Sequence, residues 1–207
     1  MIATGRLVTD QDVERLRQLL EQRAMLKGDF TLASGRKSKL YFDSKFVILA
    51  PEAVIPVGQL FRQHAIELEA TAVGGLAAGS IPISTAIVAC EAMDGRTRIR
   101  SFYVRPDKKE HGTKTDLFQA FDESGQELLR PGIRAIVVDD VLTTGESFGK
   151  AIRAVQAKGA TVAAAVTLVD RCEGGAERLR TEFEIPVIAI FKADSEGTLT
   201  FHDGPVA

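Results

Sequence analysis

The chain has 207 residues, 45% hydrophobic and 26% charged, with a net charge of −2. That length suits one ordinary domain, which buries about 70% of its unfolded surface and needs no disulfide or structural metal to hold a core. The slightly acidic balance argues against a general nucleic-acid binder, no apolar run approaches the roughly 18 residues of a membrane span, and two cysteines at no metal spacing, Cys90 and Cys172, with no apolar signal core at the N-terminus, predict a reducing cytoplasm.

In chain order, residues 10–26 read as a helix. Thr9 with Asp12 three positions on is spaced for a capping box, and Val13, Leu16, Leu20 and Ala24 make one apolar stripe. Residues 28–43, GDFTLASGRKSKLYFD, read as turns with a short strand at 40–42. Pro51 is placed to open a second helix running to about Leu68. Strand and helix then alternate. Strands are predicted over 72–75, 99–104, 134–139, 162–169 and 187–191. Helices fall between them, over 81–93 with Pro82 in the first turn, over 146–158 closed by Gly159, and in one shorter stretch. The strands are rich in Val, Ile and Ala and several are apolar on both faces. This predicts an α/β fold, a parallel twisted sheet flanked by helices in the Rossmann-like manner. Residues 1–45 stand outside the alternation and are expected to form a small hood on a single domain, 1–207.

Residues 135–147, AIVVDDVLTTGES, carry the sharpest chemistry. In such a sheet, ligands bind beyond the carboxyl ends of the strands, where Asp139 and Asp140 are expected. Thr143, Thr144, Gly145 and Ser147 would then offer amides and hydroxyls at a helix start, which favours a phosphate. No lysine follows the glycine, so this is not a P-loop, and the cradle suits one phosphate. Two carboxylates repel that phosphate and need another partner in the same ligand, such as sugar hydroxyls or a hard cation like Mg2+. By physics alone, the same residues also read as a strand ending in a solvated acidic turn.

Residues 101–116, SFYVRPDKKEHGTKTD, hold Arg105, Lys108, Lys109, His111 and Lys114. Such a run is commonly a solvated face. It also suits a closing loop that neutralises a departing pyrophosphate and excludes water, with Gly112 as its hinge.

The run VVDDVLTTGES resembles the phosphoribosyl-pyrophosphate motif of type I phosphoribosyltransferases. The resemblance implies phosphoribosyl pyrophosphate as donor, with Mg2+, and pyrophosphate as leaving group. Residues 139–147 would hold the donor: Asp139 and Asp140 the ribose diol, Thr143, Thr144, Gly145, Glu146 and Ser147 the 5′-phosphate, with Val141 and Leu142 between them. The loop pattern R-x-x-x-K-x-H-G is similar to that of orotate phosphoribosyltransferases, matching Arg105, Lys109 and His111. It implies a catalytic role for those three on the leaving group. In that branch the loop reaches the partner subunit's site, which implies a homodimer with shared active sites. Two further stretches agree. Tyr41 and Phe42 in FTLASGRKSKLYFD match an aromatic pair near the base, and Arg171 in TLVDR matches the arginine that holds orotate, alongside Thr143. A guanidinium fork suits the orotate carboxylate.

The chain departs from the pattern at Ala33, at Ala78 and Gly79, and at Pro106, where some members carry lysines or a Tyr-Lys pair. Lys37 or Lys39 could compensate, and residues 117–129 match nothing the resemblance places. His64 and His202 read as bystanders. The reaction implied is transfer of the phosphoribosyl group to orotate in pyrimidine biosynthesis. A phosphoribosyltransferase for another base, or a non-catalytic regulator that senses phosphoribosyl pyrophosphate, are the other readings. No nucleic-acid or membrane partner is expected.

Overall fold

The computed structural model describes residues 7–31, 37–106, 117–122 and 124–206. Helix α1, Asp10–Leu19, starts at the predicted capping box: Thr9 Oγ1 accepts from the Asp12 amide, and Asp12 Oδ2 accepts from the Thr9 amide. It does not run on to residue 26. The chain widens into a π turn, Leu20–Ala24, and then straightens into strand β1, Met25–Thr31. β1 pairs antiparallel with β2, Lys37–Phe42, in a separate two-stranded sheet. The sequence predicts turns for most of this stretch. Gly28 and Asp29 interrupt any period-2 pattern in β1, so cross-strand pairing rather than local preference makes the strand.

A short helix α2, Lys45–Ile48, leads to α3, Pro51–Glu67, with Pro51 in its first turn as expected. Then follow β3, Ala72–Leu76; α4, Ser80–Met93; β4, Arg100–Val104; and β5, Leu117–Gln119. The remainder is β6, Arg134–Leu142; α5, Glu146–Ala157; β7, Thr161–Asp170; α6, Gly175–Phe183; β8, Val187–Ala193; and β9, Leu199–Pro205.

The main sheet has the order β5-β4-β3-β6-β7-β8-β9. Its interior pairs, β3 with β4 and β6, β6 with β7, and β7 with β8, are parallel. The sheet is thus mostly parallel, as expected from sequence, and only its two edge strands are antiparallel. β5 has three residues and β9 mixes exposed polar positions with Gly204 and Pro205, so neither gives the apolar run of a buried strand.

Alternate residues of each strand fill two cores. Val73, Ile136, Val138, Val166 and Ile190 pack with Val57, Ile83 and Ile87 from α3 and α4. Ala72, Val137, Ala165 and Ala189 pack with Phe148, Ile152 and Leu179 from α5 and α6. Period-2 alternation thus reads apolar on both faces because each face meets a helical layer. Among the described residues, no helix is long and apolar enough to cross a membrane.

Candidate active site

β3 and β6 lie side by side, but their onward connections diverge. β3 leads through α4 to β4 on one side, and β6 leads through α5 to β7 on the other. A crevice opens beyond the carboxyl ends of two strands whose connections part in this way. Asp139 and Asp140 sit at its lip. β6 does not stop at Asp139 as the sequence suggests. Its ladder with β7 continues through Val141 and Leu142, paired with Val169 and Asp170. The carboxylates are therefore held by sheet backbone rather than by a loose turn.

Asp139 is 7% exposed, and its Oδ1 accepts from the Asp140 amide. Burial raises its pKa well above the ordinary carboxylate value, and the neighbouring charge of Asp140 raises it further. This carboxylate lacks the donors that would stabilise its charge. Asp140 is better supported. Its Oδ1 accepts from the Val141 amide at 3.0 Å, and its Oδ2 accepts from the Ser44 hydroxyl. Ser44 is buried just before α2, so the first half of the chain reaches the acidic pair here. A third element closes on the same atoms. A Cβ built on Gly79, at the start of α4, would run into Oδ1 of both Asp139 and Asp140.

The turn after β6 is formed as the sequence predicts. Gly145 has φ +76, in the left-handed region that favours glycine. No side chain caps α5, so amides of its first turn stay open to a ligand. Thr144, Glu146 and Ser147 are exposed, Val141 and Thr143 half-buried, and Leu142 and Gly145 buried. Leu142 belongs to the core and serves the turn through backbone alone: its carbonyl accepts from the Arg171 amide at 3.0 Å. α6 braces the turn. A Cβ on Gly175 would strike the Thr143 carbonyl, and Arg178 Nη1 donates to the Thr144 carbonyl at 3.2 Å.

Arg171 follows β7 at the same end of the sheet, with its guanidinium 3.1 Å from Glu173 Oε1. Arg105 follows β4, and its guanidinium carbon lies 3.8 Å from the centre of the Phe118 ring, which itself stacks on Tyr103 at 4.8 Å. Lys109 and His111, with Lys108, Gly112 and Lys114, lie outside the described residues, as does Ala33. Tyr41 and Phe42 point to opposite faces of β2. Tyr41 is exposed and tilts on Phe30 with ring centres 5.4 Å apart, while Phe42 is buried in the core. Only Tyr41 presents a side chain to solvent.

Sequence reasoning missed Ser44, the bracing by Gly175 and Arg178, and the Phe118 platform under Arg105. No local pattern marks them, since each acts on a residue distant in the chain. Gly79 stands out in the sequence as a departure from the pattern, but its steric contact with the acidic pair is visible only in three dimensions.

Comparisons with known proteins agree with this geometry. Residues 18–197 match the phosphoribosyl transferase domain. The orotate phosphoribosyltransferase of Aquifex aeolicus is 36% identical over 182 residues, covering 86% of this chain and 94% of that protein. That of Streptomyces coelicolor is 34% identical over 190 residues, covering 92% and 99%. Among solved structures, the Mycobacterium tuberculosis orotate phosphoribosyltransferase in complex with 5-phospho-alpha-D-ribosyl 1-diphosphate is similar with a TM-score of 0.68. It is 29% identical and the match covers 87% of this chain and 96% of that one.

Proposed function

The chain belongs to the phosphoribosyl transferase domain family, and from that premise we propose that it transfers the phosphoribosyl group of phosphoribosyl pyrophosphate to orotate. The products are orotidine 5′-monophosphate and pyrophosphate, a step of pyrimidine biosynthesis. The observation that carries the reading is the junction of β6 and α5. A buried carboxylate short of donors stands there beside a turn of open amides. A ribosyl phosphate satisfies both at once.

The roles follow from the chemistry of each group. Amides and hydroxyls of residues 143–147 hold the 5′-phosphate. Asp139 and Asp140 accept from the ribose hydroxyls and orient the sugar. As the bond to pyrophosphate breaks, positive charge grows on the anomeric carbon, and the adjacent carboxylates stabilise it. A nitrogen of orotate attacks from the opposite face, so no enzyme nucleophile is needed. Arg171 receives the orotate carboxylate and Tyr41 lines the base. Arg105 stands on Phe118 at the root of the charged loop, from which Lys109 and His111 close on the leaving group.

Magnesium fits this donor set in one way. Among the described residues no group of three metal-binding side chains exists, whereas Mg2+ commonly takes one or two carboxylates and completes its shell with substrate phosphates and water. Asp139 and Asp140 are the carboxylates on offer, and the ion neutralises charge on pyrophosphate oxygens when bound.

The chain works as one unit, with residues 1–45 as a hood, in a homodimer that shares its active sites. Phe46 on α2 and Leu49 just after it are 50% and 66% exposed, near the Ser44 contact, and support an apolar pairing surface there. Loss of orotate absorbance on mixing protein, donor and Mg2+ tests the reaction. Turnover of hypoxanthine or uracil with none of orotate would overturn the base assignment, and light scattering that returns one chain would remove the shared site.

A further inference from the structure

Arg96, Arg98 and Arg100 alternate in the segment RTRIR that leads into β4, and all three line one cleft of about 700 Å3. Arg130, in the segment before β6, also lines it. Thr71, Arg100 and Ile133 place this cleft at the amino ends of β3, β4 and β6. The acidic pair and phosphate turn are at the other ends of the same strands, ~16 Å away for a five-residue strand. No substrate bound at one end reaches the other.

The cleft is strongly basic in a chain whose net charge is −2. Among the described residues its lining has one carboxylate, Asp122, and that one is committed. It accepts from Arg130, from the hydroxyl and amide of Ser124, and from the Gln126 amide. The Arg96 and Arg98 side chains are exposed and form no hydrogen bond or ion pair among the described residues; the Arg96 amide donates to the Glu91 carbonyl, and the Arg96 charge acts on Asp94. The acids nearest them by sequence or cavity are also engaged: Asp94 with Arg62, and Glu91 with Arg62 and the Ile99 amide. Arg96 and Arg98 also line an adjoining cavity of about 220 Å3, so one guanidinium row serves both chambers. Leu128 and Ile133 add an apolar part to the lining.

We propose that this cleft is a second anion site, which binds a phosphate-bearing small molecule of nucleotide size. Guanidinium forks match phosphate oxygens two at a time, which a row of arginines exploits better than lysines. The volume lies in the range of small-molecule sites, and the apolar part of the lining suits a ring system carried by the phosphates.

Isothermal titration of the full chain at low salt tests this, with ATP in one arm and inorganic tripolyphosphate in the other. An Arg96→Glu/Arg98→Glu double variant is expected to weaken binding of both probes at least tenfold. Its KM for phosphoribosyl pyrophosphate should stay within about twofold and its melting temperature should be unchanged. Equal affinity for the two probes would assign recognition to phosphates alone, and tighter ATP would assign part of it to the apolar part of the lining; either supports the site. Arg98→Ala, a milder change, should weaken both probes in the same direction. Binding that is unaffected by these substitutions, or that phosphoribosyl pyrophosphate fully competes away, would overturn the proposal.

Discussion

The hydroxyl of Ser44 donates to Asp140 Oδ2, although 96 positions separate the two residues. Asp140 is thereby gripped from two sides, by Ser44 and by the Val141 amide. A carboxylate with both oxygens engaged keeps one rotamer, and a sugar hydroxyl then meets a fixed acceptor. Removing one such donor costs about 1–2 kcal/mol. Ser44→Ala should therefore lower kcat/KM for phosphoribosyl pyrophosphate about tenfold, while Ser44→Thr retains most activity because it restores the hydroxyl. Steady-state kinetics of both variants at matched thermal stability decides. Equal loss in the two would mean that the position matters for packing, not for the hydrogen bond.

Burial of the Asp139 carboxylate bears on stability. Its folded pKa is raised by burial and by Asp140. Between the ordinary carboxylate value and that raised value, the folded chain binds a proton that the unfolded chain does not. Stability contributed by the neutral acid is thus present at low pH and is lost as pH rises through the window. Asp139→Asn removes that loss. At pH 8 it should melt about 2–4 °C higher than wild type, corresponding to about 1 kcal/mol for a chain this long. It should also turn over at least about a hundredfold more slowly. Calorimetry at pH 5 and pH 8 reads the first effect, and a variant no more stable at pH 8 than at pH 5 relative to wild type would refute it.

Gly79 tests the crowding around the same pair. Its φ of −58 and ψ of −38 are ordinary for alanine, so Gly79→Ala brings no backbone strain. The added Cβ nevertheless meets Oδ1 of both aspartates. Asp140 cannot turn away without breaking the contacts of Ser44 and Val141. We expect kcat/KM for the donor to fall by about tenfold or more with the fold intact, since 1.4 kcal/mol of misplacement suffices. Wild-type kinetics in this variant would show that the carboxylates move freely.

The parts of the site that lie within one continuous segment were legible from sequence. The helix start at α5 followed from the Thr-Thr-Gly run, and the Val, Ile and Ala residues marked the buried strands, whereas the left-handed conformation of Gly145 is seen only in the structure. What was hidden depends on pairing across the chain. β1 and β9 have little strand pattern of their own and exist through their partners, and the extension of β6 past Asp139 comes from its ladder with β7. The same reasoning explains why Tyr41 and Phe42 read as a pair. Adjacent aromatic letters look like one feature until a strand sends them to opposite faces.

The charged loop gives a prediction that rests on the resemblance and on where its root stands. Arg105 is held on Phe118 at the end of β4, where the charged segment begins. Lys109→Ala should lower turnover by about a hundredfold, the loss typical of one preorganised charged donor at ~3 kcal/mol. Rapid-quench measurement of the chemical step separates this from slower product release. An unchanged chemical step would remove Lys109 from leaving-group stabilisation.

Arg171 offers the cleanest division between the two substrates. Its amide anchors to the Leu142 carbonyl, next to the phosphate turn, but its guanidinium turns toward Glu173, 3.1 Å away. The side chains of that pair are 18% and 19% exposed, so the bond is partly open to solvent and can exchange for a stronger partner. The carboxylate of orotate offers the same charge with a planar fork that accepts two parallel hydrogen bonds. Loss of such a bidentate contact should act on binding of the base and leave the donor untouched. Arg171→Ala is therefore expected to raise KM for orotate about tenfold or more, with KM for phosphoribosyl pyrophosphate within about twofold of wild type. Arg171→Lys keeps the charge without the fork and should recover only part of the loss. If both Michaelis constants rise together, the arginine supports the turn through its fold position and does not receive the base.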